Sequence, residues 1–484
     1  MAIIGGGISG LAAALELVQA GPEHEVVLLE AQPRLGGVLE TVYDGPYLIE
    51  KSADNFATMI PHALELCRRI GYADELITPR STDRRAFVWH RGRPHPIPAG
   101  FSLMQPTRVA SVLTSGVLSW AGKLRLLGEM WVPPRQLDDA DESLESFATR
   151  RLGREAYLNL VEPIVSGIFT ADPSTLSMQA TMPQFLEMER RHGSLIRAHL
   201  FAKKNDAAAA ARRASGARYD QFVAPRRGMS HWIEYLTAQL PHGVCRTGVR
   251  VDAISSPDGR TWKIDTSEGT LEAEGVILAT PAHVSARLIE PLDGRAAELL
   301  AGIPYASSAV VAMIVRSADL HQRTDGFGMV VPRASGRPTL AISYSSHKYP
   351  GRVPDGQVLL RMFFGGATHP EVLDLTDQAL LDLAESELRH LLDWRGSSPD
   401  WAGVIRWPQA MPQYLVGHRR RIDELTAALS DHPRLQVCGA GYEGVGIPQC
   451  IRSAQQAAKR LAQALGLPLP LNTPLIEAAP PPSA

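Results

Sequence analysis

The feature that most constrains the fold of this chain is a glycine cluster close to its start, in the stretch MAIIGGGISGLAAALELVQAG. Apolar residues before the cluster read as the end of a buried strand, the segment after it reads as a helix, and EVVLLE reads as a second buried strand. Gly5, Gly7 and Gly10 have the spacing that permits a tight turn, a close approach to a pyrophosphate, and tight helix–strand packing. Glu30, which closes the second strand, stands where an acidic side chain accepts hydrogen bonds from ribose hydroxyls. The pattern predicts dinucleotide binding; the alternative is a glycine-rich turn in some other βαβ unit.

A second glycine loop indicates which dinucleotide is bound. AQPRLGG follows directly, and it puts the cation of Arg34 and the permissive backbone of Gly36 and Gly37 beside the pyrophosphate. A site for a nicotinamide cofactor alone has no need of this loop. It resembles the glutamate–arginine–diglycine loop of amine-oxidase-type flavoproteins, which implies FAD. Cys450 reads better as a small buried hydrophobe than as a flavin attachment point, so we expect the FAD to be bound non-covalently.

Composition narrows the range of partners and compartments. The 484 residues carry a net charge of −2 and no long basic run, so nucleic acid is not expected as a partner. The four cysteines form no C-x-x-C pair and the histidines form no H-E-x-x-H motif, so no metal site is expected. The first residues lack the pattern of a signal peptide, and no apolar run is long enough to span a membrane. These features favour the cytoplasm of a bacterial cell.

Elements with different periodicities alternate along the chain, and they predict a multidomain α/β fold. In this prediction a Rossmann-like FAD-binding domain is assembled from discontinuous segments, next to a mixed-sheet substrate domain and an inserted helical domain. The predicted segments are 1–83 (FAD-binding, first part), 84–215 (mainly helical insert with a hairpin turning at Arg91-Gly92), 216–290 (FAD-binding, second part), 291–405 (β-rich substrate domain), 406–466 (FAD-binding, third part) and 467–484 (disordered tail).

Three later stretches carry a more specific resemblance, which covers about residues 1–465. VEPIVSGIFTADPSTLSM, WPQAMPQYLVGH and CGAGYEGVGIPQCIRSA occur in that order, and together they resemble the protoporphyrinogen and coproporphyrinogen oxidases of haem synthesis. The resemblance implies that Ser9, Val251, Gly439, Gly446 and Ile447 also contact the FAD. Read alone, Pro408, Pro412 and His418 could be turn and core residues only, and Glu162, Pro163 and Ser166 could serve helix packing as well as substrate contact.

The resemblance also implies a substrate pocket, because a porphyrinogen is a large apolar macrocycle with carboxylates at its rim. No general base is evident, and the ring N5 of the flavin is the expected hydride acceptor in three transfers that remove six electrons, with oxygen as the final acceptor. Core packing is the alternative for the apolar positions, and an exposed arginine is the alternative for a propionate partner at Arg84 or Arg85. The implied substrate residues are Arg85, Gly167, Phe327, Val330, Leu340 and Phe363.

Several alternatives stay open at the level of sequence. An amine oxidase or a carotenoid desaturase shares the N-terminal fingerprint, and a non-catalytic FAD-bound protein would keep the cofactor loops without oxidising a porphyrinogen. Protoporphyrinogen and coproporphyrinogen are not distinguished. The stretch 99–132 mixes apolar residues with Arg108, Lys123 and Arg125, which is typical either of a peripheral membrane surface or of buried amphipathic helices. A downstream ferrochelatase is an expected partner, and the chain is expected to be a monomer or a homodimer.

Overall fold

The computed structural model describes residues 1–20, 24–80, 85–106, 108–135, 140–205, 222–322 and 324–467. The predicted tail from 468 onward and Arg84 lie outside these ranges. The strands are β1 Ala2–Ile4, β2 Val27–Glu30, β3 Thr41–Asp44, β4 Tyr47–Glu50, β5 Phe56–Ala57, β6 Leu76–Ile77, β7 Ala86–His90, β8 Arg93–Pro96, β9 Phe101–Ser102, β10 Gln105–Pro106, β11 Phe222–Pro225, β12 Cys245–Thr247, β13 Val251–Ser255, β14 Trp262–Thr266, β15 Gly269–Ala273, β16 Val276–Leu278, β17 Tyr305–Arg316, β18 Gly328–Val330, β19 Thr339–Tyr344, β20 Gln357–Gly365, β21 Trp401–Pro412 and β22 Leu435–Val437. The α-helices are α1 Ile8–Val18, α2 His62–Arg69, α3 Val109–Thr114, α4 Trp120–Leu127, α5 Leu144–Leu152, α6 Arg154–Ala156, α7 Glu162–Phe169, α8 Met178–Thr181, α9 Pro183–His192, α10 Leu195–Asn205, α11 Met229–Thr237, α12 Ala282–Ile289, α13 Gly294–Ala301, α14 Ser345–Lys348, α15 Asp377–Leu392, α16 His418–Ala428 and α17 Ile447–Leu465.

A parallel five-stranded sheet, ordered β12-β2-β1-β16-β22, forms the base of the dinucleotide domain. Its central strands are short and apolar because both faces are covered by helices. Ile3 and Ile277 face a core that contains α1 and α17, whereas Ile4 and Leu278 face a core that contains α12 and α13. Strands from three separated parts of the chain therefore meet in one sheet, as the sequence predicted.

A mixed seven-stranded sheet, ordered β21-β17-β20-β19-β18-β7-β8, forms the second domain. Neighbouring strands are antiparallel except for β18 and β7, and α15 covers one face. The β7–β8 hairpin turns at Arg91 and Gly92, with φ of 50° and 77°, which confirms the predicted turn. The predicted division differs from this sheet in two places: the β7–β8 hairpin belongs to the sheet rather than to the insert, and β21 runs through the predicted 405/406 boundary. Which sheet a strand joins depends on its pairing with strands that are distant in the chain, and the local sequence pattern does not predict that pairing.

The inserted segment folds as a helical layer built from α3 to α10 around its own apolar core. One fully buried arginine, Arg151, pairs with Glu129 and lies 3.3 Å from Glu189, so its charge is compensated within the layer. Helix α7 carries this layer onto the mixed sheet, where a Cβ on Gly167 would lie 3.5 Å from Val330. Among the helices described, none is both long enough and apolar enough to cross a membrane.

Candidate flavin and substrate site

In the first glycine turn, packing leaves no room for a side chain at two of the glycines but does leave room at the third. Gly5 has φ of +107°, and a Cβ there would approach the Ala279 carbonyl oxygen to 2.8 Å. A Cβ on Gly10 would overlap the carbonyl oxygen of Gly5. A Cβ on Gly7 would meet nothing closer than Gly37 Cα, at 4.0 Å. Internal packing therefore does not explain Gly7, and the open space fits a phosphate group of a dinucleotide brought close to the backbone.

The second glycine loop lies directly against the first. Gly36 donates its N–H to the carbonyl of Gly6 at 2.8 Å, and a Cβ on Gly37 would come within 3.2 Å of Gly7 Cα. Arg34 donates from its guanidinium to the Gly37 carbonyl at 2.5 Å and pairs with a neighbouring carboxylate, that of Glu40, at 2.8 Å. In this structure Arg34 thus closes the loop on itself, a role that the spacing did not predict.

Glu30 ties both turns to the end of β2. Its carboxylate accepts the Gly6 N–H at 2.6 Å and the Gln32 N–H at 2.8 Å. The backbone that leads into β13 passes alongside, because Val249 donates its N–H to the Glu30 carbonyl at 2.9 Å. Val251 opens β13 and is half-buried. The structure therefore places Glu30 and Val251 near each other at the carboxyl end of β2. Their contacts with FAD stay a prediction.

The third glycine segment, residues 438–454, lies close to the first glycine turn although it comes from the far end of the chain. Ser9 Oγ donates to the Cys450 carbonyl at 3.4 Å, and a Cβ on Gly439, whose φ is +128°, would lie 3.8 Å from Ser9 Oγ. Gly7 caps α1 and Gly446 caps α17 without any side-chain hydrogen bond. Two helix N-termini with free backbone N–H groups favour a bound anion such as a pyrophosphate. Ile447, by contrast, is 7% exposed and packs in the core.

Cys450 lies in this segment as a buried thiol. Burial raises its pKa to about 12, and its Sγ lies 3.8 Å from the Gly444 carbonyl oxygen. A thiol held in its protonated form is a poor nucleophile. The environment of Cys450 therefore supports the prediction of a non-covalent cofactor.

The candidate substrate face is a row of residues in register across the mixed sheet. Val330 is opposite Ala341, Ala341 is opposite Phe363, and Phe363 is opposite Val310. Helix α7 covers the row, with Gly167 closest to Val330 and Ala341. The structure thus brings together three of the predicted substrate residues and adds Ala341, which sequence reasoning missed because its small side chain gives no signal.

The other predicted substrate residues are not part of this row. Leu340 is 5% exposed and lies at the register irregularity between Thr339 and Ala341, so strand alternation does not set its direction. Phe327 is 9% exposed, and its N–H donates to the Arg85 carbonyl at 2.7 Å. The Arg85 guanidinium is about half exposed and lies 3.6 Å from Asp325. These three roles stay predictions.

A cavity of about 680 Å³ is lined mainly by residues of β17 and β21 and by the segment 366–374. Tyr305 forms one wall: its hydroxyl accepts the Ala282 N–H at 2.9 Å and would touch a Cβ placed on Gly441, at 2.8 Å. Ser308 and Gln413 contribute polar atoms, and the insert contributes Thr175. Sequence reasoning named none of these four lining residues, although Gln413 lies within the quoted WPQAMPQYLVGH motif.

Two residues of the predicted motifs, His418 and Glu162, are buried and hydrogen-bonded within the protein. His418 is 4% exposed, stacks on Tyr414 at 4.3 Å between ring centroids, and bonds the Tyr442 carbonyl at 3.1 Å; burial lowers its pKa to about 4. Glu162 begins α7, and burial raises its pKa to about 7. Its carboxylate accepts from Ser166 Oγ at 3.3 Å and from the Arg333 N–H at 3.4 Å. Both arrangements favour the packing interpretation of these residues.

Three glycine segments, two of which begin helices without a side-chain cap, together with a mixed sheet that has an apolar face, define a flavin-dependent oxidoreductase. The chain belongs to the family of flavin containing amine oxidoreductases, whose model matches residues 8–462. It is 33% identical to a coproporphyrinogen III oxidase of Bacillus subtilis (strain 168), over 94% of this chain and 96% of the relative. It is 30% identical to the chloroplastic protoporphyrinogen oxidase 1 of Spinacia oleracea, over 96% of this chain and 84% of the relative.

A solved structure supports the same family. That of a candidate protoporphyrinogen oxidase from Exiguobacterium sp. 255-15 superposes with a TM-score of 0.83 and 27% identity, covering 96% of this chain and 98% of the other. Together these similarities confirm the predicted α/β flavoprotein fold, the family resemblance and the flavin cofactor, which the dinucleotide domain identifies as FAD.

Proposed function

We propose that this chain oxidises a porphyrinogen to the porphyrin in haem biosynthesis, and that it prefers coproporphyrinogen III to protoporphyrinogen IX. One observation carries the proposal: relatives from four bacteria that are named coproporphyrinogen III oxidase match at 29–33% identity, over 91–98% of their own length. The relatives named protoporphyrinogen oxidase from plants match at 28–30% identity, over 84–88% of their length.

The chemistry that FAD supplies when bound is hydride acceptance at ring N5, and three such transfers account for the six electrons lost by a porphyrinogen. The chain's own contribution is to bind and orient the macrocycle. The half-buried ring of Phe363 offers a surface on which a pyrrole stacks. Val330 and Ala341 make the wall apolar, and the absence of a side chain at Gly167 lets α7 pack closely on both of them.

Geometry rather than acid–base catalysis supplies most of the rate in this proposal. The carboxylate of Glu162 accepts hydrogen bonds from Ser166 Oγ and from the Arg333 N–H, so it is already engaged within the protein. Each round removes one hydride and one proton from the substrate. Molecular oxygen, the proposed acceptor, takes up both to give hydrogen peroxide. Hydride transfer that is lost on replacing a single ionisable residue, with substrate affinity unchanged, would contradict this view.

The direct test is anaerobic mixing of the FAD-bound protein with each porphyrinogen while the flavin absorbance is followed. We expect coproporphyrinogen III to bleach the flavin faster than protoporphyrinogen IX does. Faster bleaching by protoporphyrinogen IX would reverse the assigned preference. If neither porphyrinogen bleaches a bound flavin, the proposed function is wrong, and amines and polyenes become the donors to examine.

The structure offers little support for an amine oxidase. An amine site needs aromatic rings facing the flavin across an open space. Tyr442, the aromatic residue in the third glycine segment, is 7% exposed and packs in a hydrophobic core. Tyr414 is 2% exposed, stacks on His418 and donates its hydroxyl to the Ala440 carbonyl. Neither ring lines an open cage.

A peripheral membrane contact is a second part of the proposal. Trp120, Leu124 and Trp131 on the helical layer are 70%, 68% and 76% exposed, and Lys123 lies over the Trp120 ring at 4.5 Å. Lys123 itself is buried, but Arg125 on the same helix is exposed, and exposed tryptophans with a cation nearby fit the interface of an anionic bilayer. Co-sedimentation with phosphatidylglycerol vesicles should fall on replacing both tryptophans by serine but not for Met59→Ser, another exposed apolar residue. Equal sedimentation of all three proteins would contradict the contact.

Transfer of product to a ferrochelatase, and a monomeric or homodimeric state, stay predictions from the family resemblance.

A further inference from the structure

A buried ion cluster joins the mixed sheet to the first FAD-binding segment. Asp54 Oδ2 lies 2.6 Å from Lys348 Nζ and 2.6 Å from the Arg361 guanidinium. The three residues are 7%, 9% and 2% exposed. Because a buried ion pair costs desolvation energy, it is weak evidence for stability alone, and its placement needs another reason.

Arg361 belongs to the candidate substrate face. It lies two residues before Phe363 in β20, so both side chains leave the strand on the same side. The guanidinium carbon is 5.8 Å from the centre of the Phe363 ring, within the range of a cation–π contact. Arg361 therefore packs against the ring of Phe363, on which a pyrrole is proposed to stack.

The same guanidinium reaches the loop that follows β4. It donates to the carbonyl of Glu50 at 3.1 Å and to that of Ser52 at 2.5 Å, and to Ser345 Oγ at 3.0 Å. With Asp54, these contacts satisfy the arginine on all sides. A lysine could keep the charge but could not make this planar set of bonds.

The β4 loop in turn holds the second glycine loop. Lys51 donates its backbone N–H to the Glu40 carbonyl at 2.9 Å, and Ser52 Oγ donates to the Val38 carbonyl at 2.5 Å. Glu40 also pairs with Arg34, which closes the loop around Gly37. A continuous set of hydrogen bonds thus runs from the substrate face to the backbone beside the proposed pyrophosphate.

We propose that Arg361 is a positioning residue that couples the substrate face to the second glycine loop through Asp54 and residues 50–52. This inference rests on the proposed function for the substrate half only. The coupling to the flavin is independent of which porphyrinogen reacts, so the two can fail separately. Its first consequence is that FAD affinity depends on a residue of the substrate domain.

The test uses Arg361→Lys in the full chain, with Arg337→Lys as the matched control. Arg337 lies next to the same sheet and pairs with Glu387 of α15, on the opposite face. FAD is titrated into each apoprotein, and thermal unfolding is measured in parallel. We expect Arg361→Lys to weaken FAD binding by about tenfold, since several hydrogen bonds to a charged group are lost. Arg337→Lys should leave FAD binding unchanged.

Two further variants distinguish positioning from simple loss of stability. Asp54→Asn should weaken FAD binding in the same direction as Arg361→Lys. Ser52→Ala, which removes only the contact with Val38, should fold normally and weaken FAD binding by about threefold. An Arg361→Lys protein that unfolds earlier yet binds FAD like wild type would overturn the proposal. If that variant does not fold, unchanged FAD affinity in Ser52→Ala would overturn it instead.

Discussion

The first glycine turn and the substrate face show how differently two parts of one site are specified. In the turn, neighbouring residues meet their own backbone: a Cβ on Gly10 would overlap the oxygen of Gly5. On the substrate face, Val330, Ala341 and Phe363 come from three strands and meet only because the register aligns them. Local backbone demands are visible in a sequence, whereas alignment between strands is not. The following predictions test how far this difference goes.

The largest combined effect on stability and flavin binding is expected at Gly10. Gly10→Ala places a methyl group in the space of the Gly5 carbonyl oxygen, so α1 must move away from β1. We expect a loss of about 3 kcal/mol or more in the free energy of unfolding, and no retained flavin. Urea unfolding and the flavin absorbance of the purified protein measure both. Gly294→Ala is the control, because a Cβ there meets nothing within 4 Å; equal behaviour of the two variants would contradict the prediction.

Phe363 and Phe364 test the two faces of one strand. Phe364 is fully buried in the core under α15, so Phe364→Ala should cost about 3–5 kcal/mol of stability. Phe363 is half-buried on the other face, so Phe363→Ala should cost less stability and should raise the KM for porphyrinogen. Thermal unfolding and steady-state kinetics separate the outcomes. A stability loss at Phe363 as large as that at Phe364, with an unchanged KM, would make Phe363 a core residue.

Glu50 tests the contact between the first FAD-binding segment and the substrate face, because it ends β4 and its carbonyl accepts a hydrogen bond from Arg361. Burial raises its pKa to about 7, above its usual value of about 4.5 in the unfolded chain. A raised folded-state pKa stabilises the fold below about pH 4.5, and this contribution is lost as the pH rises through about 7. Glu50→Gln should remove that dependence, so the variant should gain about 1–3 kcal/mol relative to wild type between pH 5 and pH 8. A difference in unfolding free energy that stays constant with pH would refute the assignment.

The smallest change in stability is expected at Gly7. Its φ of −71° is open to alanine, and a Cβ there meets only Gly37 Cα at 4.0 Å. Gly7→Ala should therefore leave the apoprotein as stable as wild type or more stable by about 0.4–1 kcal/mol. FAD affinity should nevertheless fall, because the methyl group occupies the space left for the phosphate. Apoprotein that binds FAD with wild-type affinity would show that this space is not the pyrophosphate site.

The same contrast explains what the sequence could and could not reveal. The glycine turn, the second loop and the three-part parallel sheet follow from local patterns, and the structure has them. The membership of β21 and of the β7–β8 hairpin in the mixed sheet was missed, because nothing local distinguishes them. Ala341 and Tyr305 were missed for a related reason, since each acquires its place from partners far away in the chain. Arg34 was found, but its pairing with Glu40 depends on a loop conformation that spacing does not describe.

The split of the parallel sheet has a consequence for how the protein is made. β22 pairs with β16, and α17 packs on α1, although more than four hundred residues separate the two helices. During synthesis, β16 therefore lacks a neighbouring strand on one side until β22 has been made, and one flank of α1 stays uncovered until α17 has left the ribosome. The flavin site is completed in the same moment. A ribosome that stops short of this helix releases a chain with an open sheet edge and no finished site, which makes truncated products targets for aggregation or proteolysis.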